Sequence, residues 1–436
     1  MMLRNEEIAN TRDDESSPGG AGHARDPRPP EWAAVATGDL CHQMLQAADE
    51  IVRLVSPINE PRADIPPPVG DVTGYMSGGL GGPLLLAWYH HVARSVSPSE
   101  RVRRAILEEL ADTYEHSQLA PGLYTGVAGL GWLYWHVLPN RGPGDQVDPL
   151  ADLDAVLGRW VAQWPTNDCD VIAGLCGIGV YALQCRSRWQ DALLSAVIER
   201  LEAAAAWDSR GAKWIGQNGL VDLGMAHGCG GVVAFLSHAV RIMPRNAALL
   251  RLLGGAVEYL LAMSEATGKG HDIASLVRPD GLDVAPAVRT SPAWCYGGLG
   301  VSCAINNAAR ATGQQAWRER ALTMARAQAE RLVGLPESPL DAGLCHGLAG
   351  ATHMLNCLSQ ATADEALRDA AVQGYQAMLA RRVRHGADSI AGFRSQSQFG
   401  EWIPARGLLI GASGVGLALL AGATTVRPLW NELFLI

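Results

Sequence analysis

The 436-residue sequence predicts an all-α fold: an α/α toroid, or double barrel, of seven helix-pair repeats joined by glycine-rich loops. Three observations carry this expectation. A short glycine motif recurs seven times, amphipathic segments separate its copies, and strand signals are scarce.

The motif is G-x-x-G leading into a strongly apolar run, as in TGVAGLGWLYW, AGLCGIGVYAL and HGCGGVVAFL. Its first glycines are Gly78, Gly126, Gly174, Gly228, Gly297, Gly347 and Gly411. The runs that follow are apolar nearly all round, which marks buried helices. Between them lie segments such as SERVRRAILEELADTYEH, WQDALLSAVIERLEAAA, AWRERALTMARAQAERLVG and EALRDAAVQGYQAMLARRV. There apolar residues recur at three- and four-residue steps, the spacing of a half-exposed helix. Each repeat therefore pairs an outer helix with an inner one, giving about fourteen helices. The last repeat, GASGVGLALLAGA, is as apolar as the middle ones, whereas an open solenoid ends in polar caps. Closure into a ring follows. No copy continues into the G-K-[ST] of a P-loop, so the glycines read as tight loops and close helix approaches, not as a phosphate cradle.

Composition narrows the function. Hydrophobic residues are 48% and charged residues 18%, enough for a large buried core, and the net charge of −9 argues against a nucleic-acid partner. The basic clusters Arg101 to Arg104 and Arg381 to Arg384 fall on amphipathic segments and read as solvated helix faces. No uninterrupted apolar stretch reaches 18 residues, so no integral membrane span is expected. Residues 1–32 are polar and rich in Pro, Gly and charge, and read as a disordered tail before a single domain over 33–436. No apolar signal region precedes that domain, which implies a cytoplasmic protein. Nine cysteines without a CxxC pair fit reduced thiols better than a disulfide framework.

Repeat phase singles out the chemistry. Residues two positions before each first glycine are Met76, Tyr124, Ile172, Ala226, Cys295, Cys345 and Leu409. One position before it are Ser77, Thr125, Ala173, His227, Tyr296, His346 and Ile410. If the repeats superpose, Cys295 and Cys345 become neighbours on one rim, with His346 beside them. Two thiolates and an imidazole form a soft set suited to Zn²⁺, and three protein ligands leave a fourth tetrahedral position open. The other cysteines read as core, with Cys229 nearest to the site but out of phase. His227 shares the rim as an acid or base, and Asp170, four positions before Gly174, could orient it. Asp168 is a neighbouring candidate, with helix capping as the alternative role for either carboxylate.

At these residues the chain resembles the lanthipeptide cyclase family, also called lanthionine synthetase C. The matching motifs are WCYGGLG from Trp294, GLCHGLAG from Gly343, AHGCGG from Ala226 and DVIAGLCGIG from Asp170, within a repeat that spans roughly residues 70 to 420. The resemblance implies a seven-fold α/α barrel that holds zinc through Cys295, Cys345 and His346. It also implies catalytic roles for His227, Asp170 and Tyr296. Family members carry an arginine shortly before WCYG, and the nearest here is Arg289. The intervals of the first repeats leave little room for the small inserted domain that some members have.

The activity implied is zinc-dependent addition of peptide cysteine thiols to dehydroalanine or dehydrobutyrine, closing thioether rings in a precursor peptide. The chain has no length to spare for a dehydratase or kinase domain, so a separate dehydratase is the expected partner. Two alternatives stay open: a relative that adds glutathione to dehydrated residues, and a zinc-bearing scaffold that binds peptides without chemistry. Long loops at 265–292 and 385–407, the second with Phe393, Phe399 and Trp402, are candidate peptide contacts.

Overall fold

The computed structural model describes residues 31–56, 75–94, 100–116, 120–138, 150–164, 168–185, 187, 189–266, 271–281, 292–333, 340–383, 386–397 and 399–436. Trp32–Ile436 form one compact unit.

Fourteen long helices alternate between two layers. The outer ones are α1 (Gly38–Val55), α3 (Glu100–His116), α5 (Ala151–Gln163), α7 (Gln190–Ala204), α9 (Ala247–Ala266), α11 (Gln315–Val333) and α13 (Glu365–Ala380). The inner ones are α2 (Gly81–Ala93), α4 (Val127–Val137), α6 (Leu175–Gln184), α8 (Cys229–Ile242), α10 (Gly298–Thr312), α12 (Leu348–Thr362) and α14 (Ala412–Ala423). A short α15 (Asn431–Phe434) follows. The layers differ as their sequences require. Helix α11 buries one stripe, Ala321, Met324, Ala325, Gln328, Ala329 and Leu332, while every residue of α14 is buried.

The ring closes. Helix α14 packs on α2, and α1 lies against both. The loops before the inner helices are stitched together by backbone hydrogen bonds one to three positions before each first glycine. Met76 N donates to Tyr124 O at 3.2 Å, Tyr124 N to Ile172 O at 2.9 Å, and Val171 N to Ala226 O at 2.9 Å. Ala226 N donates to Cys295 O at 3.4 Å, Cys295 N to Cys345 O at 3.2 Å, and Cys345 N to Leu409 O at 2.8 Å. Leu409 N then donates to Ser77 O at 3.2 Å, back in the first repeat. Loop polar groups that would otherwise be orphaned at a crowded rim are satisfied from repeat to repeat.

The recurring glycines answer a steric need. A Cβ on Gly126 would be driven into the Ala120 carbonyl, and one on Gly350 into the Leu344 carbonyl, because each loop folds its own backbone over the start of its inner helix.

Strands are few and short, and all lie in connections. They are β1 (Ala206–Asp208), β2 (Gly211–Lys213), β3 (Val221–Asp222), β4 (Leu276–Val277), β5 (Ser389–Ile390), β6 (Phe393–Gln396) and β7 (Trp402–Ile403). They pair antiparallel as β1–β2, β3–β4 and β5–β6–β7. Among the described residues one helix, α9, is long and apolar enough over Ala247–Glu265 to cross a membrane, and 56% of that stretch is buried in the protein. Its packing against α8 and β2 accounts for its apolar character.

Candidate metal centre and its rim

The loops before α10 and α12 carry Cys295 three residues ahead of one helix, and Cys345 and His346 just ahead of the other. Their ligand atoms all lie within 4.8 Å of one another. Tetrahedral zinc with sulfur and nitrogen ligands needs separations of about 3.5–3.8 Å, which small side-chain adjustments reach. Both cysteines are free thiols.

The donor set is also electrostatically primed. The Cys345 thiol donates to the Cys295 sulfur and, with help from His346, holds the Cys295 pKa down at about 5 despite burial. The same pairing, with burial, pushes the Cys345 thiol well up. The pairing thus favours the thiolate at Cys295 and opposes it at Cys345. The His346 pKa is pushed up to about 10, first by Asp341 and then by Cys295. Two thiols and an imidazole gathered within 4.8 Å of one another are a soft donor set that fits a divalent metal such as zinc.

On the adjoining rim His227 Nδ1 hydrogen-bonds Asp170 Oδ2. The other Asp170 oxygen accepts from Ala173 N at 2.7 Å, which fixes the carboxylate on its own loop. Burial opposes the charged imidazole, yet the bond and charge of Asp170, with Asp222 and Cys295, raise the His227 pKa. The side chain is 42% exposed, so it is accessible while still crowded enough to feel these charges. Asp168 caps the same loop, accepting from Asp170 N at 3.3 Å, and burial and Asp170 raise its pKa. The Tyr296 ring lies 5.8 Å from the His227 ring between centroids, tilted by 35°. Tyr296 donates its hydroxyl to Asp222 Oδ2 at 2.8 Å, and burial raises the phenol pKa further. Its proton is committed to Asp222, so Tyr296 presents to the site a ring wall and oxygen lone pairs. Gly224 lets the two loops meet: a Cβ there would stand 2.8 Å from the Tyr296 ring.

Arg289 lies outside the described residues, as does much of the 265–292 loop. In the 385–407 segment, Phe393 is buried beneath the Arg382 guanidinium and is no peptide contact, while Phe399 is 80% exposed and Trp402 carries Arg394 at 4.5 Å. Cys229 is buried at the start of α8, with burial lifting its thiol to about 12, so it stands apart from the ligands.

Asp341 and Asp222 went unnoticed in the sequence, although a signal was present. Asp168, Asp222 and Asp341 all stand six positions before a first glycine. In each the Oδ1 accepts from the amide two residues on: Asp170 N at 3.3 Å, Gly224 N at 2.8 Å and Gly343 N at 3.0 Å. Extending the phase argument four positions further back would have found them.

The family model described as lanthionine synthetase C-like protein matches residues 71–435. The chain belongs to this family. Among solved structures, this lanthionine synthetase C-like chain is similar to the nisin cyclase, with a TM-score of 0.66 at 19% identity, covering 91% of this chain and 96% of that one. That likeness confirms the α/α toroid. Comparison with curated protein sequences gives no match.

Proposed function

We propose that this protein is a zinc-dependent lanthionine synthetase that adds peptide cysteine thiols to dehydroalanine or dehydrobutyrine in a dehydrated precursor. The observation that carries the reading is the convergence of Cys295, Cys345 and His346 beside a His227–Asp170 pair on one rim of a family-typical ring. Cys295, Cys345 and His346 would hold the zinc ion, whose charge would lower the pKa of a substrate thiol from its free value of about 8.5.

The remaining steps belong to the chain. Addition of the thiolate to the β-carbon breaks the C=C π bond and leaves an enolate that needs a proton at its α-carbon. His227, with its pKa raised, delivers that proton from Nε2, the ring nitrogen not bonded to Asp170. Asp170 fixes the imidazole's orientation and supports the charged form. Tyr296 walls the other side of His227, and its phenol oxygen accepts hydrogen bonds from the peptide. Both reacting groups belong to one peptide, so holding it in the ring's mouth makes the addition effectively unimolecular. In this reading a separate dehydratase supplies the dehydrated residues, and nine cysteines without a CxxC pair support a reducing compartment.

The test is to measure bound zinc, incubate the protein with a dehydrated cysteine peptide, and count alkylatable thiols, since ring closure leaves mass unchanged. Thiols are expected to disappear with the zinc-loaded parent. His227→Ala should keep its zinc and lose roughly 10²–10⁴ in rate. Full retention of free thiols by the zinc-loaded parent overturns the cyclase reading, and an unchanged rate in His227→Ala favours a scaffold.

A further inference from the structure

We propose that Asp341 is a positioning residue for the metal centre, one that claims the Nε2 edge of His346 and thereby presents Nδ1 as the ligand atom. The inference rests on the zinc reading above.

Asp341 is buried, and its carboxylate divides its work between two oxygens. Oδ1 accepts from Gly343 N at 3.0 Å and shapes the loop. Oδ2 faces His346 Nε2 at 3.5 Å and accepts from Gln396 N of β6 at 3.2 Å. The residue lies outside the set of three that can share one ion, so it touches a ligand without being one.

Comparison across the repeats separates the two tasks. Asp168, Asp222 and Asp341 make the same Oδ1 turn, so loop shape explains that oxygen in all three. It does not explain the second oxygen. In Asp222 the Oδ2 holds the Tyr296 hydroxyl of the next repeat, while in Asp341 it meets the imidazole of His346. The same turn has been put to two uses: one orients a rim aromatic, the other a metal ligand. Imidazole ligands commonly donate their second ring N–H to a carboxylate, which fixes both tautomer and ring plane. Asp341 is placed to do this, and Gln396 N and Ala342 N, which donates to Arg394 O at 3.0 Å, lock the carboxylate's loop to the β6–β7 hairpin.

Asp341→Asn separates the tasks, because the amide oxygen can keep the turn while the amide nitrogen cannot accept from His346. Zinc affinity is measured by competition with a chromophoric chelator, and ligand geometry by the visible spectrum of the Co²⁺-substituted protein. Asp341→Asn should bind zinc roughly 10–100-fold more weakly and shift the Co²⁺ bands, with far-UV circular dichroism unchanged. Asp222→Asn, which alters the same turn in the loop before α8 without touching a ligand side chain, should keep parental zinc affinity. Parental affinity and spectrum in Asp341→Asn overturn the proposal, as does an equal loss in Asp222→Asn, which assigns the effect to the turn. Should Asp341→Asn fail to fold, ¹⁵N NMR of the imidazoles in the zinc-loaded parent decides directly. A protonated Nε2 with metal on Nδ1 supports the assignment, and metal on Nε2 overturns it. A parent chain that binds no zinc overturns the metal reading itself, and this inference with it.

Discussion

At the scale of single residues, the site is a set of charges that balance only together. The Cys345 thiol favours the thiolate at Cys295 and is itself pushed up by it, so removing one changes the ionisation of the other. Cys345→Ala is expected to weaken zinc binding by more than the roughly 10–100-fold typical of losing an outer partner, as read by chelator competition. The His227–Asp170 pair gives a pH prediction. Asp170 raises the imidazole pKa, and a general acid works only while protonated, so activity should fall as pH rises through that elevated pKa. Asp170→Asn removes the support, and the alkaline limb of the thiol-consumption profile should move to lower pH. An alkaline limb that stays in place shows that another group supplies the proton. Cys295, Cys345, His346, His227 and Asp170 were legible because their phase within the repeat was legible. Asp222 acts through a second oxygen whose partner, Tyr296, comes from the adjacent loop, and no local pattern states that.

Among the elements, the inner helices and their glycine loops are the most constrained parts. Gly126, Gly174, Gly228, Gly347 and Gly411 sit where the loop's own backbone folds over the helix start. Gly126→Ala should therefore destabilise the protein by about 3 kcal/mol in a urea melt, through overpacking against the Ala120 carbonyl. Gly158 in the middle of α5 is the contrast, because a Cβ there meets nothing within 4 Å. Gly158→Ala should stabilise by about 0.5–1 kcal/mol, since alanine is the better helix former. The alternation of outer and inner helices was legible from periodicity, while inner helices such as α10 and α12 run well past their glycine motifs. The short strands were not, because two- and three-residue pairings in long connections carry too little alternation to be seen.

Over the whole molecule, the segment that follows α14 ties the ring together from within. Trp430 N donates to the Tyr89 hydroxyl of α2 at 3.1 Å, and His353 of α12 pairs with Asn431 at 2.6 Å while stacking on Trp430. Tyr124 donates to Leu433 O at 2.8 Å, Trp294 to Phe434 O at 2.9 Å, and Asn307 of α10 to Leu435 O at 3.2 Å. These partners come from well-separated repeats, so the segment occupies the interior that they surround. It also holds the indole of Trp294, the residue before Cys295, and so supports the metal loop from beneath. Trp430→Ala is expected to cost about 3–5 kcal/mol, measured as a fall in denaturant midpoint at constant slope. A loss below 1 kcal/mol shows that the ring holds its shape without the segment.

The sequence by itself determined the repeat, its period and its phase, because helical amphipathicity and loop glycines are written locally, residue by residue. From these came the closed ring and the prediction that Cys295, Cys345 and His346 share one rim. The tertiary structure decided what proximity across repeats alone can decide. It set Asp341 against Gln396, Asp222 against Tyr296 and Asp170 against His227, and it set the 430–436 segment within the ring. Such pairings depend on the close approach of backbone segments 50 or more residues apart, and a sequence pattern records only the spacing that makes that approach possible.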